Sequence, residues 1–74
     1  MNWQENISTD PKIMFGKPCI KGTRITVDLI VEKIGYGQTI EQILNSYPHL
    51  TRQQVNSCLL YAAETIRKTF VYAE

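Results

Sequence analysis

TIEQILNSYPHLTRQQV, residues 39–55, holds two helix starts and one helix stop within seventeen positions. Thr39 with Gln42, and Thr51 with Gln54, are two capping boxes. In each, the threonine hydroxyl accepts from the backbone N–H three residues on, while the glutamine reaches back to the threonine's own N–H. Between them Pro48 stops the first helix, because a residue that precedes proline avoids helical backbone angles. Two helices are therefore predicted to meet across the corner at 47–50. Ile40, Ile43, Leu44 and Tyr47 fall at i, i+3, i+4 and i+7, one apolar stripe on a helix too short to stand without packing. Leu50 and Val55 take the staple positions of the second helix, and Val55, Cys58, Leu59, Ala62 and Ile66 form its expected buried stripe. Nothing breaks the pattern before Thr69, so this helix is predicted over 52 to about 68, ~25 Å at 1.5 Å per residue.

Upstream, the same period starts at Ile25. Thr26 is the expected side-chain cap, Val27, Ile30, Val31 and Ile34 make the stripe, and Ile25 with Ile30 forms a staple. Gly35 or Gly37 supplies the left-handed residue that ends the helix. Before Ile25 there is no helical period. Asp10-Pro11, Phe15-Gly16, Lys17-Pro18 and Gly22-Thr23 are turn-forming pairs, with short extended pieces expected at 5–8, 13–15 and 19–20 as a hairpin or an extended arm. The apolar side chains there, Trp3, Ile7, Ile13, Phe15 and Ile20, are too few for a core of their own and must pack on the helices after them or on another chain. The expected fold is mainly α: a strand-and-turn arm at 1–25 and a three-helix helix-turn-helix unit at 26–74, together a single domain.

Seventy-four residues, 43% hydrophobic and 20% charged, fit one small globular core and exclude a two-domain enzyme. A chain this size buries only about 60 to 65% of its unfolded surface, so a partner subunit is a reasonable expectation. Eight basic and seven acidic side chains leave a formal charge of +1, and the total does not announce a nucleic-acid binder. Lys12, Lys17, Lys21 and Arg24 face only Glu5 and Asp10 in the first third, which is the best location for a local basic patch. No apolar run approaches the ~20 residues of a membrane span, and 1–10 is polar where a signal peptide is apolar, so the cytoplasm is the expected compartment.

Cys19 and Cys58 stand outside any CxxC pair and, with His49 as the sole histidine, cannot build a zinc site from one chain; two partly buried thiols are expected. Cysteine with His49 is the only nucleophile-and-base combination available, and His49 lies in a tight turn, so no enzyme is expected and no cofactor is implied. Asp28 and Glu32, one turn apart on a polar face, read as solvation. The segment GKPCIKGTR, residues 16–24, fails as a phosphate loop because Gly22 is followed by Thr23 and Arg24 instead of Lys and a hydroxyl residue. A hairpin carrying its basic side chains to phosphate or protein fits it better.

In a helix-turn-helix the outward residues opening the second helix of the pair face the major groove, and here those are Arg52, Gln53, Asn56 and Ser57. Arg reads guanine, and Gln and Asn read adenine, through paired hydrogen bonds; Lys17, Lys21 and Arg24 are expected on phosphates. The same four residue types also make up any solvated helix face, and fold alone assigns no function. Phe70, Val71 and Tyr72 follow as an apolar segment suited to contact with another protein.

Ile7, Asp10-Pro11, Gly16-Lys17-Pro18, Ile20, Gly22-Thr23-Arg24-Ile25, Val27, Gly37, Ile43-Leu44, Tyr47-Pro48, Leu50-Thr51 and Tyr61-Ala62-Ala63 together resemble the small prokaryotic family called domain of unknown function 433. The likeness runs from about residue 5 to residue 65 and is most specific in GKPCIKGTRITV; Phe15 stands where members usually have glycine. The resemblance implies a homeodomain-like three-helix fold preceded by short strands. It also implies an antitoxin of a type II toxin–antitoxin pair, one that holds a PIN-type ribonuclease inactive and binds its own operator DNA as a homodimer. The competing expectation is a protein-interaction and dimerisation module with no DNA-binding role.

Overall fold

Strand β1 (Ile7–Ser8) pairs antiparallel with β2 (Cys19–Ile20), Ile7 opposite Ile20 and Ser8 opposite Cys19, in the computed structural model, which describes residues 2–69. Their connection does not contain the extended piece expected at 13–15. Asp10 Oδ1 accepts from the Lys12 N–H at 2.9 Å, and the Asp10 carbonyl accepts from the Ile13 N–H. Those bonds fold the chain into a 3-10 turn over Met14–Gly16, with φ of 50°, 58° and 81° at Met14, Phe15 and Gly16. Local turn chemistry overrides the strand propensity of Ile13 and Phe15, which have no partner strand to satisfy.

After β2 the chain reverses through a second corner, where the Thr23 hydroxyl donates to the Ile20 carbonyl at 2.7 Å and accepts from the Ile25 N–H at 3.1 Å. The Ile20 N–H then bonds the Ile25 carbonyl, the Val27 N–H bonds the Pro18 carbonyl, and α1 (Val27–Gly35) begins. Thr26 is not the side-chain cap expected of it. Its hydroxyl instead favours the ionised Asp28 carboxylate two residues on, lowering the pKa of that group. Of the two glycines expected to end the helix, Gly37 (φ 98°) does so: the Gly37 N–H reaches the Ile34 carbonyl and the Gln38 N–H the Lys33 carbonyl, the two bonds of a Schellman motif.

Both capping boxes form. The Gln42 N–H donates to Thr39 Oγ1 and Gln42 Oε1 accepts from the Thr39 N–H, opening α2 (Ile40–Ser46); Thr51 and Gln54 repeat the exchange at α3 (Arg52–Thr69). Ile7 and Ile20 from the sheet, Val27 and Ile30 from α1, Ile43 from α2, and Leu50, Val55 and Cys58 pack as one core. The arm lies on α3, with Trp3 edge-on to Tyr61 at 5.1 Å between ring centroids. Ile66, expected on the buried stripe, is 55% exposed. The cause is length: α3 has 18 residues against nine in α1, and its last two turns run past the packed core.

Candidate functional site

Two surfaces are candidates, at opposite ends of α3. The first is its opening turn, where the capping box and the Leu50–Val55 staple fix the backbone and leave Arg52 and Gln53 exposed, with Asn56 half-buried one turn on. Arg52 is not free to solvent on all sides. Its guanidinium donates to the Glu41 carboxylate at the start of α2, tying the two helix openings together. That hydrogen bond, with a smaller share from Glu41's own backbone N–H and the Arg52 charge, holds the Glu41 carboxyl below its ordinary range.

Ser57 does not join this surface and is withdrawn from the outward set. It is fully buried, donating to the Gln53 carbonyl at 2.9 Å and accepting from Asn6 Nδ2 at 2.9 Å. The N-terminal arm covers that flank of α3, which helical spacing alone does not reveal. Leu60, one turn beyond Asn56, is 42% exposed and interrupts the polar face with an apolar side chain.

The second surface is a groove of about 500 Å³ between α1 and the later half of α3, floored by Pro18, Val27, Val31, Tyr61, Ala62 and Ile66. Lys17, Asp28 and Glu32 stand at its rim. Lys17 Nζ lies 3.1 Å from Asp28 Oδ2. The Asp28 carboxyl is held below its ordinary value, first by the Thr26 hydroxyl and then by Lys17. Nearby in sequence, Phe15 is entirely exposed on its left-handed turn, and Met14 beside it is 40% exposed.

Of the cations expected on phosphate, Lys17, Lys21 and Arg24 are all placed on the surface side of the arm, but Lys17 belongs to the groove rim. The groove residues 61–66 lie about 14 to 21 Å along α3 from Arg52, so Lys17 and the opening turn do not form one patch. Phe70, Val71 and Tyr72 lie outside the described residues. The groove was missed by sequence reasoning. Its one signal was Ile66, an apolar stripe position placed beyond the reach of a nine-residue α1.

Cys19 and Cys58 are buried; burial pushes the Cys58 thiol up to about 12 and raises that of Cys19, which also feels Asp28. Neither is a thiolate near neutral pH, the form a cysteine nucleophile needs. Among the described residues no three His, Cys, Asp or Glu side chains gather as metal ligands would, and no helix is long and apolar enough to cross a membrane.

A family model described as "Protein of unknown function (DUF433)" matches residues 7–62. An "Uncharacterized protein y4eO" from Sinorhizobium fredii is 27% identical over 59 residues, 80% of this chain and 27% of that protein. The chain thus spans about a quarter of the length of this curated relative. The crystal structure of a DUF433 member from Anabaena variabilis superposes with a TM-score of 0.81 at 26% identity, covering 88% of this chain and 64% of that one.

Proposed function

This chain belongs to the DUF433 family, a family described only as of unknown function, and we propose that within it this member is a protein-binding module of antitoxin type. The observation that carries this reading is the α1–α3 groove with an entirely exposed Phe15 two residues from its rim. A small chain gains nothing in water from displaying that apolar surface, and contiguous exposed apolar patches mark sites of protein contact. The antitoxin role, in which the chain holds a PIN-type ribonuclease inactive, is what the family resemblance implies; the apolar residues Phe70, Val71 and Tyr72 are the capturing tail in this reading. A PIN-type ribonuclease encoded beside this chain's gene is expected to co-purify with it and to stop cleaving RNA in its presence. Removing residues 69–74 is expected to abolish capture; a truncated chain that inhibits as well as the 74-residue one would remove the tail from the account.

A second reading, operator binding, is favoured by the exposure of Arg52 and Gln53, with Asn56, on the opening turn of α3. In it Lys17, Lys21 and Arg24 contact phosphates. Arg52→Ala is expected to weaken binding and relax its selectivity, and Lys21→Ala to weaken binding to every sequence alike. Because Glu41 occupies the guanidinium and repels phosphate, Glu41→Gln is expected to strengthen DNA binding several-fold at low salt. Mobility shifts in which all three variants match a weak wild type would leave the protein-binding reading standing alone.

A further inference from the structure

We propose that two copies of this chain pair about a twofold axis, each seating its Phe15 ring in the other's groove between α1 and α3. The inference rests on the protein-binding reading and names the partner for that surface. Knob and hole lie side by side in one chain: Phe15 is two residues from Lys17, which stands on the groove rim. Phe15 does not fill its own groove, for it is 100% exposed. When a knob and its complementary hole are neighbours on one surface, a twofold rotation between them satisfies both at once, and the contact closes at two subunits.

Charge singles out a second copy as the occupant. The loop that carries Phe15 also carries Lys12, and the rim of the groove carries Glu32; both are exposed, and neither takes part in an ion pair among the described residues. Seating the ring of one copy in the other brings each unpaired cation toward an unpaired anion, twice by symmetry. Asp28, already held by Lys17 of its own chain, leaves Glu32 as the available anion. Two aromatic rings with Met14 and Ile66 around them make a modest interface by the standard of stable complexes, where about 800 Å² is buried per partner, so the pair is concentration-dependent.

The backbone supplies an unusually clean variant. Phe15 has a φ of 58°, a conformation glycine adopts without penalty, so Phe15→Gly deletes the knob while easing the turn. Sedimentation equilibrium of the 74-residue chain is expected to show 8.5 kDa monomers passing to twice that mass as concentration rises. Phe15→Gly is expected to weaken the association about a hundredfold or more, from two lost rings, while its thermal midpoint holds or rises. Glu32→Lys is expected to weaken pairing, and Lys12→Glu added to it to restore pairing. Wild-type protein that stays at monomer mass, or a Phe15→Gly chain that dimerises as before, overturns the proposal. A monomeric wild type that still captures the ribonuclease overturns the pairing alone; a Phe15-dependent dimer that captures no ribonuclease upholds the pairing and removes the antitoxin role.

Discussion

Ile43→Ala is expected to cost about 2 to 5 kcal/mol of folding stability, the largest loss expected from any single truncation in α2. Ile43 is fully buried, and it is the only residue of α2 that is. A helix of seven residues holds its shape through that anchor, since so short a segment has no standing as an isolated helix. Loss of the side chain leaves a cavity in the core where α2 packs on α1 and α3, and a rigid core closes such a void only in part. Against a total of roughly 4 to 11 kcal/mol for a chain of this size, the loss is a large fraction of what exists. Urea unfolding followed by far-ultraviolet circular dichroism measures it. The variant's midpoint should fall sharply with the slope unchanged; a midpoint within experimental error of wild type contradicts the placement of Ile43 at the centre of the core.

The helix boundaries were legible because they are set by contacts three or four residues apart. Thr39 with Gln42 and Thr51 with Gln54 bond as the sequence spacing requires, and Gly37 ends α1 where a left-handed residue was needed. Errors arose wherever another group competed. Thr26 turned its hydroxyl to Asp28, and Ser57 was claimed by Asn6, 51 positions away. No periodicity in α3 separates Ser57 from Asn56; only the arm lying against one flank does. Phe15 shows the same limit from the other side. Its place in a supposed strand followed from propensity, yet the Asp10 turn left it without a strand to pair with. The groove is a product of unequal helix lengths, which the capping signals defined one by one and whose mismatch becomes a surface only when the helices are packed.

The second large effect is alkaline. Cys58 is fully buried in the core, and burial moves its thiol from 9.0 to about 12, so the folded chain holds the neutral thiol while an unfolded chain releases the proton. A folded-state value raised above the unfolded one gives stability that is complete below about pH 9 and is lost as pH climbs toward 12, because the unfolded state then binds fewer protons. Near pH 11 the loss is about 2 to 3 kcal/mol, taking 1.36 kcal/mol per unit over the two units above 9.0. Every other group of the chain is shared with a Cys58→Ala variant, so the comparison isolates the thiol. Cys58→Ala is expected to be less stable than wild type at pH 8, from the missing sulfur, and to close most of that gap by pH 11. Denaturant midpoints for both proteins, under a reductant that excludes disulfide formation, give the difference at each pH. Parallel curves at a constant separation would mean that the thiol reaches solvent in the folded chain, and the burial at the junction of sheet and helices would have to be abandoned with it.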